Sequence, residues 1–377
     1  MVKEDVVRHF TENEVQIKTL ESLLALEEYF QTHKDELVHD FVQSFREICR
    51  KIKAMQSRGE KGNIGHITYS MLRTEIIEGR PIYLIDASDS TWFFDLKECQ
   101  AEYNAGWAFQ YLDVLENEIE QISKTYMGAI TKPDIERIKL GLADKYNQYV
   151  VSLARYAMPQ AIALPEYMEI DKEEELEVRV GEYLDISEII HKEDVTVKDA
   201  EEIKGWLEEK LEYEYAYEVF ANLDLSHGNY EEIDLRYAHM KQSKLSRSNL
   251  RGCILLGTKF TDCHLQGANF SHSFICEADF SYNDLKGAIF YDAEGAQGLP
   301  DSASWEMPGF VPVRFEGADL ERADFEDANL VGAIFIGANL TATNFKGANL
   351  ERAVFSREDM LKVDLDDKQR ASIIWKP

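Results

Sequence analysis

The chain has 377 residues, 45% hydrophobic and 29% charged, which is enough for two or more packed domains and too apolar for a disordered chain. No apolar run reaches the length of a membrane span, and the opening MVKEDVVRHF lacks the apolar stretch of a signal peptide. The formal net charge of −29 argues against direct contact with nucleic-acid phosphates, which needs cationic patches that release counterions.

The acidity is uneven. Residues 216–377 carry 16 basic and 25 acidic residues, so −9 of the total lies there and −20 before it. Cys49, Cys99, Cys253, Cys263 and Cys276 are scattered without CxxC spacing. That is neither a disulfide framework nor a zinc site, and a reducing cytoplasm is the expected location.

The N-terminal part reads as helices. Ile17, Leu20, Leu24 and Phe30 support one over about 12–30. Leu37, Phe41, Phe45, Ile48, Ile52 and Met55 fall three and four apart, a stripe predicting a second over 33–58. Gly59, Gly62 and Gly65 lack a preceding strand and a following GK[ST], so they predict a helix-to-helix turn rather than a phosphate loop. In PIYLIDASDSTWFFDL (81–96), two β-rich runs flank Ser88-Asp89-Ser90 and predict a hairpin.

Two more stripes follow. Tyr103, Trp107, Tyr111, Leu115, Ile119, Ile122 and Tyr126 make the first. Ile135, Ile138, Leu142, Tyr146, Tyr149, Leu153 and Tyr156 make the second, with Pro133 near its first turn. Four stripes suggest a bundle over 1–165. After Pro165, EYMEIDKEEELEVRV looks like an acidic connector running into a strand, and Thr196 with Asp199 predicts a capping box opening a helix to about 213. Residues 166–215 are therefore expected to link two domains.

Aromatic residues at helical spacing, such as Trp107 and Tyr111, are expected in the core rather than in a ligand pocket. Trp92 and Tyr149 are read the same way. The histidines form no ligand spacing, and no nucleophile–base pattern stands out. Neither cofactor nor metal is expected.

From Phe315 the chain reads FEGADLERADFEDANLVGAIFIGANLTATNFKGANLERAVF, with Phe or Leu at every fifth residue and Ala two places before almost every one. Five residues turn an α-helix by about 500°, so the stripe would spiral round it. In a strand an odd period would flip every second side chain to the other face. The pattern needs a very short strand and a corner, repeated. Residues two apart share one strand face, so each Phe or Leu points inward with the small residue two before it.

GADLE, RADFE, DANLV, GAIFI and GANLT resemble the A(D/N)Lxx motif of the pentapeptide-repeat family. The resemblance covers roughly 225–355 and implies a right-handed quadrilateral β-helix of four pentapeptides per coil. The fold class is then α+β with two domains: a mainly α-helical N-terminal domain, and a pentapeptide-repeat β-helix over 216–355 closed by a cap at 356–377. The expected core runs Leu255, Phe260, Leu265, Phe270, Ile275, Phe280, Leu285 and Phe290. It resumes at Phe315, Leu320, Phe325, Leu330, Phe335, Leu340, Phe345, Leu350 and Phe355. Cys253 and Cys263 stand at the small inward position.

A stack has open ends. The helical domain is expected to cover the first coil. The cap is expected to cover the last, through a capping box at Ser356 and Asp359 and the apolar Ile373, Ile374 and Trp375. The segment 291–311, rich in Gly, Pro and Ser, reads as an insertion anchored by Trp305 and Phe310.

Some pentapeptide-repeat proteins mimic DNA and bind gyrase, which requires acidic columns. Residues twenty apart stack, and here Glu326 stacks with Lys346 and Glu231 with Arg251, so such columns are lacking. One face is instead expected to carry an apolar column of Ile254, Leu256, Phe274, Cys276, Ile334, Ile336 and Val354. Either the insertion or part of the helical domain covers it, or it meets a protein, as a homodimer contact or a partner site. Both the covered and the dimer versions bury Phe274 and Ile334. The expected function is a non-enzymatic interaction scaffold or regulatory adaptor. The alternatives are a DNA-mimic gyrase inhibitor or protector, and a ligand-sensing role for the helical domain.

Overall fold

A computed structural model of the chain describes residues 3–298 and 309–377. They form two compact units that meet in sequence between Val195 and Thr196.

In the first unit, α1 (Lys3–Phe10) passes through a π turn at Thr11–Val15 into α2 (Gln16–Ser57). The two helices expected over 12–30 and 33–58 are thus one helix of 42 residues. The sequence QTHKD at the expected break holds no Pro or Gly, so nothing interrupts the backbone ladder. Leu23, Leu26, Phe30, Leu37, Phe41, Phe45, Ile48 and Ile52 are buried along one continuous stripe.

The glycine-rich turn leads from α2 into a strand rather than a helix: β1 (Ile64–Met71) is followed by α3 (Arg73–Ile77) and β2 (Ile82–Ser88). Then come β3 (Gln100–Asn104), α4 (Gly106–Ser123), α5 (Lys132–Ile162) and α6 (Pro165–Met168). The strands β4 (Lys172–Glu182) and β5 (Ser187–Asp194) complete a sheet ordered β3-β2-β1-β4-β5. The β1–β4 pair is parallel and the other three pairs are antiparallel. Tyr69, Tyr83 and Tyr103 alternate onto the helical side, where Phe41 stacks on Tyr69 and Phe109 meets Tyr83. The unit is rich in helix, but it is a helix layer on a sheet rather than a bundle.

Two expectations fall with that sheet. The run 166–215 is not a connector, because β4 lies inside the sheet and pairs with both β1 and β5. Its alternation of Glu with Leu176, Val178 and Val180 is that of a strand with one buried face. The hairpin over 81–96 is also displaced. The partner of β2 is β3, and Trp92–Phe94 form a 3₁₀ turn. Side-chain bonds hold that turn: Asp89 Oδ1 accepts from the Thr91 amide at 2.8 Å, and Asp95 Oδ2 accepts from the Asp89 amide at 3.0 Å and from Lys61 Nζ at 2.7 Å. Such local bonds compete with strand pairing.

The second unit opens with α7 (Ala200–Glu208), capped by Asp199 rather than Thr196: Asp199 Oδ1 accepts from the amides of Glu201 and Glu202. Leu207 and Trp206 of this helix pack on the first coil at Tyr215 and Phe220. Three short strands, β6 (Val219–Ala221), β7 (His239–Lys241) and β8 (Lys259–Thr261), pair in parallel twenty residues apart. The same interval joins Asn229 to Asn249 and Asn249 to Asn269, so one coil takes twenty residues and has four bridge positions.

Every central residue from Leu255 to Phe355 named above is buried. Their rings form two columns: Phe280 stacks on Phe260 at 4.8 Å and Phe290 on Phe270 at 4.8 Å. At each corner the second residue after the central one turns to positive φ, as at His272 and Arg322. At two corners only glycine fits. A Cβ on Gly257 would lie 2.4 Å from the Tyr237 ring, and one on Gly317 would lie 2.5 Å from the Tyr282 ring.

The insertion is shorter than expected. The coil runs on through 291–297, with Glu294 bridging Phe274 on one side and Asn329 on the other. Gly295 takes the central place, where a Cβ would press on Ile275 and Val313 at 3.0 Å. Gly298 and Gly309 then pair across a neck. Phe310 is buried and its amide donates to Glu277 Oε1 at 2.7 Å. Trp305 lies outside the described residues. Across this point the pairing interval becomes 35 residues, as in Asp279–Arg314 and Asp284–Asp319, so fifteen residues leave the coil.

At the far end Ser356 makes no side-chain cap, and its Oγ accepts instead from the Gly337 amide at 3.0 Å. The capping box is Asp366 with Gln369, opening α8 (Asp367–Ser372). Gln369 Nε2 also donates to the Phe345 and Ala348 carbonyls of the last coil. The strands β9 (Val354–Ser356) and β10 (Ile374–Lys376) add a final rung.

Phe315→Ala should destabilise the second unit by about 3–5 kcal/mol, since its ring is fully buried between those of Phe280 and Phe335. Urea unfolding followed by circular dichroism measures this, and a loss under about 1 kcal/mol would contradict the stacked core. In the first unit, burial raises the Glu193 pKa, but hydrogen bonds from His191, Lys172 and Tyr167 outweigh it and bring the group down to about 2. A depressed carboxyl stabilises above its unfolded pKa, and the effect is lost as pH falls. Glu193→Gln should therefore remove a stability loss that the parent shows between about pH 4.5 and 2. Melting temperatures across that range test the slope.

Candidate interaction surface

The outward positions of the second unit lie on each side of a central residue, and the bridges order them into columns. One column runs Asp234, Ile254, Phe274, Glu294, Asn329 and Asn349. The next runs His239, Lys259, Asp279, Arg314, Ile334 and Val354. Charges along the stack are interleaved. Arg251 Nη1 donates to Glu231 at 3.0 Å, Lys346 Nζ to Glu326 at 2.6 Å, and Lys286 Nζ pairs with Asp319 at 3.1 Å. Amide side chains form ladders of their own. Asn249 Nδ2 donates to Asn229 Oδ1 at 2.9 Å, and Asn339 Nδ2 to Asp319 Oδ1 at 2.9 Å.

The family model for pentapeptide repeats, in eight copies, matches residues 219–257, 229–267, 258–293 and 313–365. Residues 219–365 are a pentapeptide-repeat region.

The gap in that match, 294–312, contains the point where the interval changes from 20 to 35 residues. No curated protein matches the chain. Among solved structures, full-length QnrB1, described as a plasmid-mediated fluoroquinolone resistance protein, is 18% identical over 45% of this chain and 90% of its own, with a TM-score of 0.22. Rfr23, a pentapeptide-repeat protein from the cyanobacterium Cyanothece 51142, is 21% identical over 43% of this chain and 90% of its own, with a TM-score of 0.14. HetL from Nostoc sp. strain PCC 7120, involved in heterocyst differentiation regulation, is 20% identical over 42% of this chain and 98% of its own, with a TM-score of 0.13.

The register of the repeats breaks the expected apolar column in two. Ile254, Leu256, Phe274 and Cys276 belong to the side that continues through Glu294 and Asn329. Ile334, Ile336 and Val354 belong to the adjoining side, above Lys259, Asp279 and Arg314. The expectation took 315 as the pentapeptide next after 290. One more pentapeptide, ending its inward run at Gly295, stays in the coil before the chain leaves, so Phe315 stacks on Phe280 and every later residue moves one side over.

Phe274 is 40% exposed and Ile254 36% exposed. Ile334, Ile336, Leu256 and Val354 are half-buried. Cys276, although at an outward place, is buried, and its Sγ donates to the Ala296 carbonyl at 3.4 Å. Further exposed apolar residues of the repeats are Tyr282, at a corner, and Ile289 and Tyr291, on the side preceding Phe274. Their outward places follow from the fivefold ruler alone. His272 stands at the corner beside them, its ring 5.4 Å from that of Tyr291 and its Nδ1 3.0 Å from Asp292 Oδ2.

The five cysteines are free and buried, and burial lifts the thiol of Cys253 to about 12 and that of Cys263 to about 11. They should not interfere with engineered thiols. Paired positions lie about 4.8 Å apart across a parallel rung, within the Cα range of a disulfide. Glu294→Cys with Asn329→Cys should therefore oxidise to an intramolecular disulfide. Glu294→Cys with Arg314→Cys, twenty residues apart but on different columns, should not. Mass spectrometry of the oxidised proteins distinguishes the two, and the opposite outcome would refute the fifteen-residue offset.

Proposed function

We propose that this chain is a non-enzymatic interaction scaffold. Its pentapeptide-repeat region is read as a right-handed quadrilateral β-helix that presents fixed columns of side chains to a protein partner. The observation that supports this most directly is the pair Ile254 and Phe274. Both are large, apolar, more than a third exposed, and held one rung apart by a backbone that is itself fully paired there: the Ile254 amide donates to the Ile233 carbonyl at 3.0 Å and the Phe274 amide to that of Cys253 at 2.9 Å. A rigid pair of this kind costs little entropy to bind, and buried aromatic anchors dominate protein interfaces.

The DNA-mimic alternative has less behind it. A mimic of the phosphate backbone needs unbroken rows of negative charge, whereas Arg251, Lys286, Arg314 and Lys346 neutralise acids along these columns. Excess protein is expected to leave gyrase supercoiling unchanged, and inhibition or protection from quinolone would favour the alternative.

The scaffold reading is tested by capture from host cytosol on the full-length chain and on a variant carrying Ile254→Arg and Phe274→Arg. The parent should retain a specific partner that the variant loses by about tenfold or more, with no change in melting temperature, because the positions are exposed. Ile334→Arg, on the other column, should leave capture intact. Equal retention by all three proteins would remove this surface from the interaction.

A further inference from the structure

The first unit carries a second surface, independent of the scaffold reading. In a sheet ordered β3-β2-β1-β4-β5, β3 is an edge. The Ala87 amide donates to the Cys99 carbonyl and the Ala105 amide to the Pro81 carbonyl. In an antiparallel pair the bonded residues alternate, so Ala101 and Tyr103 turn their amides and carbonyls to β2. Gln100, Glu102 and Asn104 therefore turn theirs away from the sheet. One of these outward groups is capped, the Gln100 carbonyl, which accepts from Lys51 Nζ at 2.6 Å. The other edge is guarded differently. The β4–β5 pairing has a register break at Val178/Arg179, and Arg155 Nη2 donates to the Ile189 carbonyl of β5 at 3.3 Å. Bulges and covering charges are the usual protection of an edge strand. The β2–β3 register is unbroken.

Beside β3 lies a cleft of about 490 Å³, walled on the other side by Asp40, Gln43, Glu47 and Arg50 of α2. These fall at i, i+3, i+7 and i+10, on one helix face. Of its two arginines, Arg50 donates to Glu166 Oε1 at 2.7 Å, and Arg46 donates to Gln43 Oε1 at 2.6 Å while lying 3.6 Å from the same Glu166 oxygen. Asp40, Glu47 and Glu102 are exposed, and among the described residues none of them is in an ion pair. The cleft thus combines free strand donors and acceptors with the unneutralised carboxylates of Asp40 and Glu47 on α2.

We propose that β3 and this face of α2 take an extended, lysine- or arginine-bearing segment of a partner protein, which adds to the sheet as a sixth strand. Main-chain bonds to Glu102 and Asn104 supply the register. Asp40 and Glu47 are seven residues apart, about 10.5 Å along the helix axis. Basic side chains two or four places apart on a strand span about 7–13 Å and can reach both. An acidic segment would meet like charge on the α2 wall.

The test uses the full-length chain and a probe nonapeptide alternating lysine with valine and threonine. Amide exchange over 99–105, read by mass spectrometry, should slow by about tenfold or more with this probe. It should not change with the same peptide carrying glutamate for lysine. Asp40→Lys with Glu47→Lys should weaken the lysine probe by about tenfold or more. Glu102→Pro, which deletes an outward amide, should abolish the slowing. If Glu102→Pro does not fold, the α2 double variant decides. No slowing at saturating probe overturns the proposal. So does equal affinity for the double variant, because a net charge of −29 would then be attracting the peptide without regard to site.

Discussion

Each coil of the repeat region must close in twenty residues, because the amide of one residue bonds to a carbonyl on the neighbouring coil. The Leu245 amide reaches the His264 carbonyl at 2.8 Å, and the Lys244 amide reaches the Leu223 carbonyl at 2.8 Å. This closure places Phe over Phe in the interior and fixes which outward side chain stands above which. A surplus residue cannot be absorbed within a coil without breaking the ladder, so it must leave. Fifteen residues do so between Gln297 and Val313, and the bonds resume undisturbed beyond them: the Leu285 amide still reaches the Asp319 carbonyl at 2.9 Å. Paired glycines at the neck let the two backbones approach, since a Cβ on Gly309 would lie 2.5 Å from the Ala296 carbonyl oxygen.

The inward pattern was legible because it repeats every five residues whatever the coil contains. Leu, Phe and the small residue two before each are set by the interior alone, so counting by five from Leu255 and from Phe315 finds buried positions on both sides of the insertion. The outward columns depend on a different number, the length of chain from one coil to the next. That length is legible only if the exact point of departure is known. Gly295 hid it, because a glycine at the central place carries no side chain to mark the ruler. One missed pentapeptide moved Ile334 and Val354 a full side away from Phe274.

In the first unit, helices were legible where apolar stripes were long, as in α5, with its capping box at Thr131 and Asp134. The sheet was less so. The strand in KEEELEVRV was legible from the alternation of Leu176, Val178 and Val180, but its charge suggested a connector rather than an inner strand between β1 and β5. TWFF has the composition of a strand but forms a turn, because Asp89 and Asp95 satisfy nearby amides before a ladder can. Strand propensity describes fit to a pleated surface, and without the neighbouring strand it could not tell Trp92 from Val178.

The acidity of the chain acquires a different meaning in each unit. Along the repeats the ladder holds acids one rung from one another, where like charges repel, and cations or amides stand between them: Asn344 Nδ2 donates to Asp324 Oδ1 at 2.8 Å, and Arg314 lies beside Asp279. Where two acids do meet on adjacent rungs, as at Asp284 and Asp319, Lys286 pairs with the second, and the apolar pair Ile254 and Phe274 stands out against these polar columns. In the first unit no such spacing applies, and acids on α2 can stay unpaired at the rim of a sheet edge. A scaffold with one apolar and one acidic recognition surface could hold two unlike partners, because the features that would attract the one, exposed aromatic area, are not those that would attract the other, free carboxylates beside an open strand.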